Sequence, residues 1–151
     1  MCAIRSDGKR EGLSDLRRVS ALLLTLASFG AAAGELSVEV RQVKPNGGAV
    51  IVALYDKAEA FPKFDRTLAV KTAEARTASV QVAFGDLGPG RYAVAAYQDQ
   101  NGNGRLDKNF FGVPTEPYGF SNDARGSMGP PSFDAAAVDP SATPNIVINL
   151  H

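Results

Sequence analysis

The sequence predicts an all-β fold: a single antiparallel β-sandwich of about seven short strands, immunoglobulin-like or transthyretin-like, carrying one long ordered aromatic loop. Three observations lead there. Period-two alternation of apolar and polar residues recurs in short runs, Gly and Pro turns punctuate those runs, and no stretch shows the apolar period of an amphipathic helix.

The first 33 of the 151 residues read as something other than the sandwich. Arg17 and Arg18 precede an apolar run of 11 residues, Val19 to Phe29, and Ala31-Ala32-Ala33 then supplies small residues of the kind a signal peptidase reads before Gly34. The run is well short of the roughly 20 residues a membrane-spanning helix needs. Residues 1–33 are therefore expected to be a cleaved secretory signal, the competing reading being a buried helix of the domain.

The β-sandwich domain is expected over residues 34–151. Without the leader, the 16 bases fall by five and the 16 acids by three, leaving 11 against 13 and a net charge of minus 2. That balance points away from nucleic acid and from an anionic membrane as partners. The single cysteine, Cys2, lies in the leader and the single histidine, His151, is the last residue. Disulfides, thiol chemistry, a Ser-His-Asp triad and a histidine metal cluster have no members to draw on.

From Gly34, Leu36, Val38 and Val40 alternate with Ser37, Glu39 and Arg41 in a half-buried strand. Pro45-Asn46-Gly47-Gly48 signals a turn, and Ala49 to Tyr55 runs nearly all apolar, so the two strands read as an opening hairpin. Asp56 to Asp65 is irregular around Phe61, Pro62 and Phe64. Leu68 to Ala73 and Ser79 to Phe84 are further strands, and Gly88-Pro89-Gly90 turns the chain into Tyr92 to Tyr97, apolar on both faces. Phe133 to Val138 reads as a short strand, and Asn145 to Leu150 closes the chain with Ile146, Ile148 and Leu150 in step.

Between Tyr97 and Phe133 lies the segment with chemistry. Asp99, Asn101, Asn103, Gly104 and Asp107 fit the front of a calcium loop, with Arg105 offering its backbone carbonyl. Position 12, a bidentate glutamate in an EF-hand, is Phe110, so such a site would be weak. The same residues also suit a metal-free chain of Asx turns. Beyond them, Phe110 to Pro131 is longer than structureless loops usually are, and its aromatics argue against disorder. Phe111, Glu116, Tyr118, Phe120 and Asn122 are expected either to cover the protein's own core or to present an apolar surface to a ligand.

Three motifs, Gly90 to Tyr92, Asp99 to Asp107 and Gly112 to Asn122, together resemble the bacterial domain-of-unknown-function family twenty-one forty-one. That resemblance covers essentially the whole chain after the leader and implies export and a sandwich fold, and it brings no assigned activity. The Pro-Gly-x-Tyr turn is also similar to carboxypeptidase-regulatory and collagen-adhesin B modules, which is an analogy of fold alone.

The function expected is an exported, periplasmic or secreted, non-catalytic binding or accessory module. Calcium is the one cofactor its residues allow, the metal-free turn being the other reading of the same loop. It would meet an unidentified ligand or envelope partner through residues 109–133, with no stable membrane anchor. The alternatives are a carboxylate-based hydrolase using a pair drawn from Asp99, Asp107, Glu116, Asp123 and Asp134, or a purely structural envelope protein.

Overall fold

The computed structural model describes residues 34–151, and the expected leader over residues 1–33 lies outside them. Seven strands form: β1 Gly34–Arg41, β2 Ala49–Tyr55, β3 Ala69–Glu74, β4 Ser79–Leu87, β5 Ala93–Asp99, β6 Tyr118–Phe120 and β7 Asn145–Asn149. They make a three-stranded sheet in the order β4-β1-β7 and a four-stranded sheet in the order β3-β2-β5-β6. The fold is a β-sandwich. All pairings are antiparallel except β1 with β7, which run parallel.

The alternation seen in the sequence decides what lies between the sheets. Leu36, Val38 and Val40 of β1 meet Val50, Val52 and Leu54 of β2, together with Phe84, Val94, Ala96, Ile146 and Ile148, in one buried cluster. Each of the Val, Leu, Ile and Phe side chains contributes about 1.5–3 kcal/mol when fully buried. This also corrects the opening hairpin. β1 and β2 sit in opposite sheets, because their apolar faces must oppose each other across the core, and Pro45–Gly48 carries the chain from one sheet to the other.

Gln98 holds that crossover. It is fully buried at the end of β5. Its amide donates to the carbonyls of Lys44 at 2.7 Å and Gly47 at 2.8 Å, while its Oε1 accepts from the Lys44 amide at 2.9 Å. A buried amide side chain left unbonded would cost about 1–3 kcal/mol, so the crossover backbone and Gln98 require each other.

The outer face of the four-stranded sheet is covered too. Ala53, Tyr55, Ala93 and Ala95 pack under Phe61, Phe120, Ala124 and Ala136 in a second cluster, with Phe64, Tyr118 and Phe133 at its margin. The rings meet edge to face, Tyr55 on Phe61 at 5.2 Å and Phe64 on Tyr97 at 4.8 Å between centroids, the geometry aromatic quadrupoles favour. Every residue of β5 is consequently buried.

Two segments differ from their expected form. Phe133 to Val138 was expected as a strand; Phe133–Ala136 is instead a single turn of helix, α1, because the Ser132 hydroxyl caps it by accepting from the Ala135 amide at 3.2 Å. The strand that the sequence reading lacked is β6, inside the expected loop. Tyr118 exchanges backbone hydrogen bonds with His151, which closes the sandwich at that corner. Gly119 faces β7 so closely that a Cβ there would lie 2.6 Å from the Asn149 carbonyl oxygen. Such overpacking costs about 1–3 kcal/mol, more than the 0.5–1 kcal/mol alanine would gain over glycine, so glycine stays.

Burial pushes the Tyr97 phenol up to about 12, with the carboxylates of Asp99, Glu116 and Asp107 acting in the same direction. Burial, with Asp65 adding to it, also raises the Tyr55 phenol. The unfolded chain ionises first, near pH 10, so the stability carried by neutral Tyr97 is complete below about pH 10 and is lost as pH climbs through about 12. Urea unfolding at about pH 8 and about pH 11 should show a smaller alkaline loss in Tyr97→Phe than in the parent. Equal losses would refute the assignment.

Candidate functional site

The loop after β5 closes on itself through its carboxylates. Asp99 is buried, and its Oδ1 accepts from the amides of Gly102 at 2.8 Å and Asn103 at 3.2 Å while Oδ2 accepts from Gly104 at 2.7 Å. Gly102 and Gly104 both take positive φ, which glycine adopts without strain. Asn101 and Asn103 turn their Nδ2 groups onto Asp107, at 2.5 and 2.8 Å. Asn103 Oδ1 accepts from the Arg105 amide. These are the Asx turns that the sequence allowed as an alternative to a metal. Among the described residues no three of His, Cys, Asp and Glu gather into a metal cluster.

Glu116 ties the two ends of this loop together. It is only 7% exposed, its Oε1 accepts from the Gln100 amide at 2.8 Å, and its Oε2 accepts from the Asp107 amide at 3.1 Å. Five residues further on, the Ser121 hydroxyl accepts from Val94 and donates to the Ala136 carbonyl, while Asn122, at φ 61°, donates to the carbonyls of Ala135 and Ala137. Asp123 then holds the Asn149 amide and side chain. Asp134 pairs with Arg91 at the surface. All five acids considered for a hydrolase thus have a structural partner.

The aromatic flap divides into two populations. Phe120 is 8% exposed and lies on the outer face of β5, and Tyr118 beside it is half-buried. Phe110, Phe111 and Met128 are 98%, 85% and 100% exposed. The flap is a lid over its own core at one end and open apolar surface at the other.

That open surface belongs to a groove of about 970 Å³ on the outer face of the four-stranded sheet. Phe64, Phe111, Val113, Tyr118, Phe120 and Met128, with Pro62, Pro114 and Pro130, form its apolar walls. Lys63, Arg105 and Lys108 are the cations among its lining residues and Asp65 the acid. None of the three cations makes a salt bridge or a side-chain hydrogen bond among the described residues. The volume is at the upper end of the range for small-molecule sites.

Of the expected site residues, Phe111, Tyr118 and Phe120 come together in this groove, and Arg105 enters it as a lining residue. Asp99, Asn101, Asn103 and Asp107 gather in the adjoining loop, with Glu116 behind it. Asn122 fastens the flap to α1. Sequence reasoning missed Lys63, Phe64 and Lys108 as groove residues. Phe61-Pro62-Lys63-Phe64 was visible as an aromatic cluster in an irregular stretch, but nothing local says that it folds against residues 104–130.

Replacing Glu116 by Gln keeps the shape, loses the charge, and turns an NH₂ toward one of two backbone amides. The expected loss is about 2 kcal/mol, since hydrogen bonds to charged groups contribute about 1.5–3 kcal/mol each. Urea midpoints at neutral pH measure it. An unchanged midpoint would mean that Glu116 does not clasp the loop.

No curated protein and no solved structure matches the chain. A family model described as an uncharacterized protein conserved in bacteria (DUF2141) matches residues 38–147, which take in the central strands, the clasped loop and the flap. With well over half its length matched, the chain belongs to this bacterial family.

Proposed function

We propose that this chain is an exported, periplasmic or secreted, non-catalytic binding module whose contact surface is the groove between the Phe61–Asp65 segment and the flap. The single observation that carries this reading is the exposure of Phe111 and Met128 on the wall of an open groove. Apolar side chains exposed together beside a concave surface are what a binding site offers and what a core avoids. The non-catalytic character is supported by the engagement of Asp99 and Glu116 with backbone amides and of Asp107 with the side-chain amides of Asn101 and Asn103, which occupies lone pairs a general base would use. Export is supported by the charge and apolar pattern of residues 1–33.

A neutral solvatochromic dye, Nile red, should brighten on binding the parent protein. The Phe111→Ser, Met128→Ser double variant should melt within a degree or two of the parent, because exposed side chains contribute little to stability, yet lose most of the dye signal. A large drop in melting temperature would make these residues part of the core, and undiminished dye binding would place the site elsewhere. Either result removes the reading.

The loop from Asp99 to Asp107 carries a second, separable proposal, a weak calcium site. Asp99, Asn101, Asn103 and Asp107 with the Arg105 carbonyl would hold the ion once Asn101 and Asn103 turn their amide nitrogens off Asp107, and the spacing of oxygen-bearing side chains at the first, third, fifth and ninth positions of the loop supports it. At a dissociation constant of about 1 mM, about 10 mM calcium adds about 1.4 kcal/mol and raises the melting temperature by several degrees over a chelator control. Identical melting in calcium and chelator would sink it.

A further inference from the structure

The groove does not account for Phe110. It lies next to Phe111 at the tip of a tight turn, with the ring centroids 5.6 Å apart, and is 98% exposed. The turn is stiff. Asn109 accepts from the Gly112 amide through its carbonyl, its own amide donates to the Val113 carbonyl, and its Oδ1 accepts from the amides of both Phe111 and Val113. A bridge between Lys108 and Pro114 closes the base, and Gly112 supplies the positive φ that the reversal needs.

Three of the tip's consecutive amides, those of Phe111, Gly112 and Val113, therefore have partners inside the turn. This matters for the kind of partner. Irregular backbone is excluded from an apolar medium chiefly because its amides go unbonded there, and this turn has largely satisfied them in advance. Two adjacent phenylalanines on a stiff, internally bonded turn suit a fluid apolar medium better than a shaped protein pocket. The surrounding charge selects among such media. Phe111 and Met128 share the groove with Lys63, Arg105 and Lys108, which are unpaired among the described residues, and Asp65 is the one acid lining it.

We propose that this face docks reversibly on an anionic lipid surface, with Phe110 and Phe111 entering the interface and Lys63, Arg105 and Lys108 meeting the headgroups. The inference rests on the reading of the flap as a contact surface and names its partner. It is peripheral docking, since no helix of the described residues is long and apolar enough to cross a membrane. The net charge of the chain conceals it: Asp65 is the one acid in the groove lining, and Asp99, Asp107 and Glu116 of the adjoining loop are turned onto amides of their own chain. A polybasic surface gains about fivefold in affinity per cation near an anionic leaflet, so three cations give about a hundredfold.

Co-sedimentation of the full chain with vesicles of phosphatidylcholine, alone or mixed with phosphatidylglycerol, tests this. All variants carry the same residues 1–33, so any contribution from them is common to the series. The parent should bind the anionic vesicles about a hundredfold better than the neutral ones at low salt, and added salt should erase most of the difference. Phe110→Ser with Phe111→Ser should abolish binding. The Lys63→Gln, Arg105→Gln, Lys108→Gln variant should bind both vesicle types at the neutral level. Equal binding by the parent to both types, or unchanged binding by either variant, would overturn the proposal. Absence of vesicle binding in a protein that still binds Nile red in the groove would overturn lipid docking and leave the binding-module reading standing. Saturation by monomeric laurate without vesicle binding would do the same and assign the groove to single amphiphiles.

Discussion

The double burial of β5 is the constraint on which the rest of the molecule depends. All seven residues from Ala93 to Asp99 are buried, Val94 and Ala96 against the other sheet, Ala93, Ala95 and Tyr97 against the outer aromatic layer, and Gln98 and Asp99 in hydrogen bonds to the crossover and the loop. A strand in this position needs two cores. The three-stranded sheet supplies one through ordinary alternation. The second has no strand layer to draw on, so it is assembled from the Phe61–Phe64 segment, β6 and the turn at α1. Irregular backbone placed over a core must find partners for its polar groups, which explains why so many side-chain hydrogen bonds concentrate between residues 98 and 123.

The distribution of polar and apolar side chains around that layer is inverted relative to a typical surface. Gln98, Asp99, Glu116 and Ser121 are buried and bonded to backbone, whereas Phe110, Phe111, Val113 and Met128 stand in solvent. Each inversion has its own cause. The buried polar groups satisfy amides and carbonyls that the crossover, the loop and the flap would otherwise leave orphaned, each orphan costing about 1–3 kcal/mol. The exposed apolar groups satisfy nothing within the chain. A rigid scaffold that holds them out at this cost in solvation has the form of a contact surface, and its stiffness reduces the ordering entropy lost on binding.

Much of the architecture was legible in the sequence because it is written in local periodicity. The strands around Val38, Val82 and Ile148 announce themselves by alternation, which fixes both their existence and the face they bury, and those around Val52 and Ala95 by nearly continuous apolar runs. The Asx turns of the Asp99–Asp107 loop were legible for a similar reason, since their hydrogen bonds join residues two to five apart. Short segments were misread where a nonlocal partner or a cap outweighed the pattern. β6 is three residues long and exists because Ala95 to Tyr97 and His151 pair with it from either side. Phe133–Ala136 became helix through one serine hydroxyl.

The sequence by itself determined the fold class, the two-faced apolar character of β5 and the family signature, because each rests on interactions between near neighbours or on composition. Only the tertiary structure decided which sheet each strand joins, that β7 runs parallel to β1, that Glu116 is a clasp, and that Lys63 and Phe64 face Arg105, Lys108 and Phe111 across one groove. Those outcomes depend on which distant segments bury each other's surface. The same apolar alternation is satisfied by any pairing that covers it, so local pattern cannot distinguish a hairpin from a crossover, or a lid from a docking face.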